Sequence, residues 1–166
     1  MRIVIIGYSG CGKSTLARQL SQKYNVPVLH LDSIHWLPNW VENNLDDENY
    51  LVSDFLDKNQ SWVIDGNYSK VQYHRRLELA DKIICLELNR FICFWRVFKR
   101  YIKHYGKTRA DMGEGCNEKL DWEFIRWVLH DGRNRSEKYK KIAELYPDKV
   151  IRVKNLRQQK ILKEIL

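Results

Sequence analysis

Residues 7–14 read GYSGCGKS, a G-x-x-x-x-G-K-S spacing that follows the short apolar run of residues 3–6 and opens an amphipathic stretch over 13–24. That spacing is the strongest constraint on the fold, because it has a mechanism only where a strand hands over to a helix. There the glycines let main-chain amides curl round an anion, and the helix N-terminus adds unpaired N–H donors and the positive end of its dipole. Both flanks fit. Residues 3–6 are all Ile or Val, as a strand buried on both faces requires. Leu16, Ala17 and Leu20 share one helical face.

Each position in the loop then has an expected task. Gly7, Gly10 and Gly12 bring the backbone close to phosphate oxygens, with Ser9 and Cys11 completing the cradle. Lys13 neutralises β- and γ-phosphate charge, the Ser14 hydroxyl ligates Mg²⁺, and Thr15 turns a second hydroxyl toward the α-phosphate. ATP with Mg²⁺ is the expected ligand pair. A metal also needs an acid. Asp65 ends the apolar run WVI, where strand ends beside such a loop face the ligand crevice. It is either the partner of a metal-bound water or the first residue of an ordinary Asp-Gly turn.

Further strands are expected at 28–31, 62–64, 82–88 and 149–153. One helix is expected near 47–58, capped by Asp46 and striped by Leu51, Phe55 and Leu56, and another over 91–105. Strands alternate with helices, which predicts an α/β fold in three layers: a parallel sheet with helices on both faces. The 166 residues suit one domain, 1–166. Cys11, Cys85, Cys93 and Cys116 form no CxxC pair and no Cys/His ligand cluster, which argues against a disulfide framework or a zinc site. The N-terminal apolar run is too short for a signal peptide, and no stretch nears the roughly 20 apolar residues that span a bilayer. The expected setting is cytoplasmic, without a membrane. A net charge of +8 points to polyanionic partners, among which nucleotides, phosphorylated metabolites and nucleic acids all qualify.

Between the second and third strands lies HLDSIHWLPNW, residues 30–40. Asp32 stands just past the strand, on the sheet edge of the glycine loop. A carboxylate there can orient or deprotonate an acceptor hydroxyl; the alternative is a loop cap. His30 lies within the strand and reads as a packed core histidine, whereas His35 is open to either role. Trp36 and Trp40 form an aromatic wall for a planar acceptor, or they belong to the core. On the 91–105 helix, Arg96, Lys99, Arg100 and Lys103 make a basic stripe, with Phe91, Phe94, Phe98, Ile102 and Tyr105 mostly opposite. Lys107, Arg109, Arg126, Arg133 and Arg135 follow. This basic set is a phosphate clamp, a solvated face or a nucleic-acid footprint.

The segments GYSGCGKSTLA, LDSIHWLPNW, WVIDGNYS, RRLELADKIICLELNR and DMGEGC…DWEFIRWV together cover nearly the whole chain. On them the chain resembles the adenylate-kinase-like P-loop kinases, and within these the small bacterial proteins labelled DNA topology modulation proteins. The resemblance implies a five-stranded parallel sheet in the order 2-3-1-4-5. It implies that Lys13, Ser14 and Asp65 form an ATP–Mg²⁺ centre, with Asp32 on the acceptor side and Arg76 contacting an acceptor phosphate. It implies an acceptor segment near 32–61 and a lid near 96–135, with Arg100 and Arg133 as phosphate clamps. One departure is plain: adenylate kinases follow the equivalent Asp-Gly with a Phe-Pro-Arg run, and here Asn67, Tyr68 and Ser69 stand there. The expected activity is transfer of the ATP γ-phosphoryl group to a small acceptor, nucleoside- or nucleotide-like compounds being the nearest candidates. The competing expectation is a nucleic-acid-associated ATPase or DNA-binding protein.

Overall fold

The run RIVIIG forms strand β1 (Arg2–Gly7), in which Ile3, Val4 and Ile5 retain no exposed surface. A strand of β-branched residues can lose its whole surface only between two layers, so β1 takes the middle of the sheet. The computed structural model describes residues 1–165. After the loop comes α1 (Lys13–Tyr24), then β2 (Val28–His30), the short α2 (Leu31–His35), and a hairpin of β3 (Trp36–Leu37) and β4 (Val41–Glu42). Next are α3 (Leu45–Lys58), β5 (Trp62–Asp65), α4 (Tyr73–Leu79) and β6 (Lys82–Leu86). The chain closes with α5 (Arg90–His104), α6 (Trp122–Leu129), α7 (Ser136–Leu145), β7 (Val150–Val153) and α8 (Leu156–Ile165).

The main sheet has five strands in the order β2-β5-β1-β6-β7, every neighbouring pair parallel. Counted along the chain this is the expected order 2-3-1-4-5. Trp62, Val63 and Ile64 of β5, and Ile83, Ile84 and Cys85 of β6, are also fully buried, so the three central strands form one continuous core. Register decides where the chemistry falls. Ile5 pairs with Asp65 and Asp65 with His30, so the C-terminal ends of β1, β5 and β2 come out at one edge.

Two local expectations change. The cap of α3 is Asn44, not Asp46, and its Oδ1 accepts from the Asp47 amide at 2.8 Å. Asp46, Asp47 and Glu48 occupy the first turn, where the helix dipole favours acids. The buried face of α3 is Glu48, Val52 and Leu56, while Leu51 is exposed, because Glu48 is drawn inward by His35. Among the described residues no helix is long and apolar enough to cross a membrane.

Gly7 closes β1 at φ 152°, where a Cβ would lie 2.3 Å from the Leu86 carbonyl oxygen of β6. Backbone cannot give way as a side chain can. Gly7→Ala is therefore expected to lower stability by about 1–3 kcal/mol in urea denaturation, by prising β1 from β6 at the mouth of the glycine loop.

Candidate functional site

The loop between β1 and α1 is shaped by its neighbours as much as by its own sequence. Gly10 has φ 77°, and a Cβ there would meet the Cys93 carbonyl of α5 at 2.5 Å. Gly12, at φ 94°, is the N-cap of α1 and offers no side-chain acceptor to the first-turn amides. The Cys11 carbonyl accepts from Arg96 Nη1 and from Gln159 Nε2, both at 2.9 Å. In a trans peptide the N–H points opposite to the C=O, so the Gly12 amide is aimed away from these two donors. Cys11 enters through its main chain; burial pushes its thiol up to about 11. The Asn67 side chain brackets Gly7, donating to its carbonyl at 2.6 Å and accepting from its amide at 3.1 Å. Lys13 Nζ donates to the Tyr8 carbonyl at 3.2 Å.

Ser14 Oγ donates to Asp65 Oδ2 at 3.0 Å, joining the first turn of α1 to the end of β5. The other oxygen of Asp65 is held by His30 Nδ1. Burial pulls the His30 pKa down, but the hydrogen bond and charge of Asp65 outweigh it and leave it raised. His30 is thus a packed histidine that orients the Asp65 carboxylate. The donor set suits Mg²⁺: a hydroxyl and a carboxylate, hard oxygens both, beside a phosphate loop that can supply the remaining ligands with water. Among the described residues no group of three or more His, Cys, Asp or Glu is placed to hold a metal ion alone.

Lys13, Ser14 and Asp32 line one cavity of about 1420 Å³, together with His35, Trp36 and Trp40. Asp32 accepts from the Tyr68 hydroxyl at 2.7 Å. Burial first, then the charge of Asp32, drive the Tyr68 pKa up, so this phenol remains a donor. His35 Nδ1 meets Glu48 Oε1 at 2.7 Å, and its ring packs on Trp36 and Tyr68 with centroids 4.7 and 4.5 Å away. Trp36 and Trp40 stand edge to face at 5.5 Å and are half-buried, which makes them wall rather than core.

The hairpin is clasped by residues 113–119. A Cβ on Gly113 would fall 1.7 Å from the Trp36 carbonyl, and the Cys116 thiol donates to the Leu37 carbonyl at 3.2 Å. Trp40 Nε1 donates to the Asn117 carbonyl at 3.1 Å, and Lys119 Nζ lies 5.1 Å from the Trp40 ring centre.

The arginines sort differently from expectation. Arg100 lines the cavity, its Nε on Glu118 Oε1 at 2.8 Å. Arg109 takes the other oxygen of Glu118 at 2.6 Å and also Asp111 Oδ2 at 2.6 Å, while Arg18 of α1 reaches Asp111 Oδ1 at 3.2 Å. The result is a ladder of three guanidinium groups and two buried carboxylates running from α5 to α1. Burial and the neighbouring Arg109 lower the Arg100 pKa.

Arg133, expected as a clamp, does not line the cavity. Its Nε and Nη1 donate to the Val128 and Leu88 carbonyls at 3.1 and 2.7 Å, and its guanidinium lies over Tyr8 at 4.2 Å. Arg76, expected at an acceptor phosphate, has no exposed surface. It donates to the Val71 and Tyr68 carbonyls at 3.0 and 2.6 Å, and so shapes the turn that carries Tyr68. Burial pulls its pKa to about 10, which leaves it charged at neutral pH.

The sequence alone assigned no role to Asn67, Tyr68, Asp111 or Glu118. The first two follow Asp65-Gly66, where their signal was the departure from Phe-Pro-Arg. The acids announced themselves only by standing among arginines.

A glycine loop opening a helix, a strand-end carboxylate on its serine and a parallel sheet in this order define the P-loop NTPase class. Within it, residues 3–115 match the AAA domain family, and the chain belongs to that family. Over 31 residues it is 55% identical to the shikimate kinase of Flavobacterium johnsoniae, a stretch that spans 19% of this chain and 18% of that kinase. A shikimate kinase from Acinetobacter baumannii, solved with shikimate, superposes with a TM-score of 0.60 at 15% identity, covering 99% of this chain and 92% of the other. A gluconokinase from Sinorhizobium meliloti gives 0.51 at 16% identity, covering 99% and 89%. A protein from Eubacterium ventriosum gives 0.52 at 16%, covering 99% and 98%. These structural likenesses establish the fold.

With Arg76 holding two buried carbonyls, Arg76→Ala should destabilise the chain by about 3 kcal/mol, through the lost hydrogen bonds and the cavity left behind. Equilibrium urea unfolding checks this. A phosphate-binding arginine at the surface of a pocket would lose far less.

Proposed function

We propose that the chain is an ATP-dependent small-molecule kinase, transferring the γ-phosphoryl group of ATP to an acceptor hydroxyl. The observation that carries this reading is the shared cavity: Asp32, positioned by Tyr68, lines the same space as Lys13 and Ser14. Lys13 is the charge for the β- and γ-phosphates, and the first-turn amides of α1 receive their oxygens. Ser14, and Asp65 through water, would hold Mg²⁺, whose charge would further neutralise the phosphate oxygens. Asp32 takes the proton of the acceptor hydroxyl as that oxygen bonds to phosphorus and the bridge to ADP breaks.

The ladder of Arg18, Arg100 and Arg109 carries one more positive than negative charge against Asp111 and Glu118. It lies where charge on a transferring group needs compensation. In this reading residues 32–61 receive the acceptor and residues 96–135 act as the lid. The named neighbours support a small acceptor, since they are a shikimate kinase and a gluconokinase.

We place the chain, within its family, beside the DNA topology modulation proteins. LDSIHW and IDGNYS, the two segments that carry that resemblance, meet in the site through the Tyr68–Asp32 bond and the Tyr68–His35 ring contact. A cytoplasmic supply of ATP fits the activity.

Incubation with ATP–Mg²⁺ and a panel of polyols, hydroxy acids, amino alcohols and nucleosides, read by product mass, tests the proposal. At least one acceptor should gain a phosphoryl group. Lys13→Ala should abolish that gain, and Asp32→Asn should lower kcat by about 10²–10⁴-fold with ATP affinity retained. Turnover unchanged in both variants would sink the reading.

A further inference from the structure

Helix α5 is amphipathic in an inverted sense. Its inward face carries Arg96 and Arg100 into the site, beside buried Cys93 and Val97. Its outward face is apolar: Phe91 is 70% exposed, Trp95 54% and Ile102 62%, with half-buried Phe98 between them, and Tyr105, which caps the helix, is 70% exposed. Trp95 and Phe98 stack at 5.9 Å. Large side chains left in water on consecutive turns are a surface awaiting a partner.

Spacing identifies the kind of partner. Phe91, Trp95, Phe98, Ile102 and Tyr105 are separated by four, three, four and three residues. This is the 3.5-residue repeat of a helix–helix seam. A seam that returns to the same line on every second turn takes another helix.

We propose that the partner is a second copy of this chain, α5 packing on α5 across a two-fold axis. Such contacts are self-complementary, so one seam supplies both halves. Phe98, the midpoint, lies at the axis, and in an antiparallel pair Phe91 faces Tyr105. The area agrees. With about 150–250 Å² per large side chain, the exposed fractions amount to about 500 Å² of apolar surface per copy. That is most of the ~800 Å² each partner of a standard stable interface buries, before its polar rim is counted. Lys99, already over the Trp95 ring at 5.2 Å, lies along the edge as part of that rim. The pairing would join two sites back to back, because the opposite face of the same helix holds Arg96 and Arg100.

Light scattering coupled to gel filtration on the full chain is the test. The expected result is a species of twice the 20.0 kDa chain mass. Ile102→Glu places two carboxylates in the seam and should return the chain to 20.0 kDa with its circular dichroism unchanged. Tyr105→Glu, at the exposed helix end, repeats the test should Ile102→Glu fail to fold. Wild-type chain at 20.0 kDa overturns the proposal, as does a dimer that survives either variant. Monomeric chain pelleting with phosphatidylglycerol vesicles also overturns it, and assigns the face to lipid. None of these readouts depends on kinase activity.

Discussion

The site depends on one carbonyl. The Cys11 C=O receives Arg96 from α5 and Gln159 from α8, helices 85 and 148 residues away along the chain. Left unpaired, a buried carbonyl would cost about 1–3 kcal/mol; doubly paired, it sets the orientation of its peptide plane. The glycine loop is therefore not a flexible strip that finds its shape around a phosphate. Its conformation is specified from outside, by α5 and by α8. Asn67 does the same from the other end, gripping both polar groups of Gly7.

What the sequence disclosed, and what it withheld, follows from how local each interaction is. The strands themselves were legible because runs such as residues 3–6 and 82–86 have only one environment open to them, whereas their order was implied by the family resemblance alone. Asp32 and Asp65 were legible because both stand at strand ends on the edge of a motif that announces itself. Arg76 and Arg133 were not, since an arginine that grips main-chain carbonyls has the same letter as one that grips phosphate. Burial separates the two, and burial is set by long-range packing. Asp111 and Glu118 were half hidden: Arg109 is only 2 and 9 residues away, but their other partners Arg18 and Arg100 are 93 and 18 residues away. The cap of α3 was missed by two residues because several polar residues in a row compete for it, and only the geometry of Asn44 chooses.

The acid–arginine ladder also explains how a strongly basic pocket can be stable before any anion enters it. Each carboxylate of the pair is shared by two guanidinium groups, so no buried charge stands alone. Sharing keeps the arginines extended across the space between α5 and α1, where flexible side chains would otherwise fold back. Ion pairs of this kind contribute little net stability, but they hold long side chains in place and so reduce the ordering a ligand must impose.

The hairpin beneath residues 113–119 carries a last implication. Trp40 has φ 64°, a backbone state that bulky residues seldom adopt, at a cost on the order of 1–3 kcal/mol. It is kept there by contacts with the Asn117 carbonyl and with Lys119, both on the segment that overlies it. The position of this aromatic wall of the cavity is thus set by residues 117 and 119 as much as by the turn that carries it.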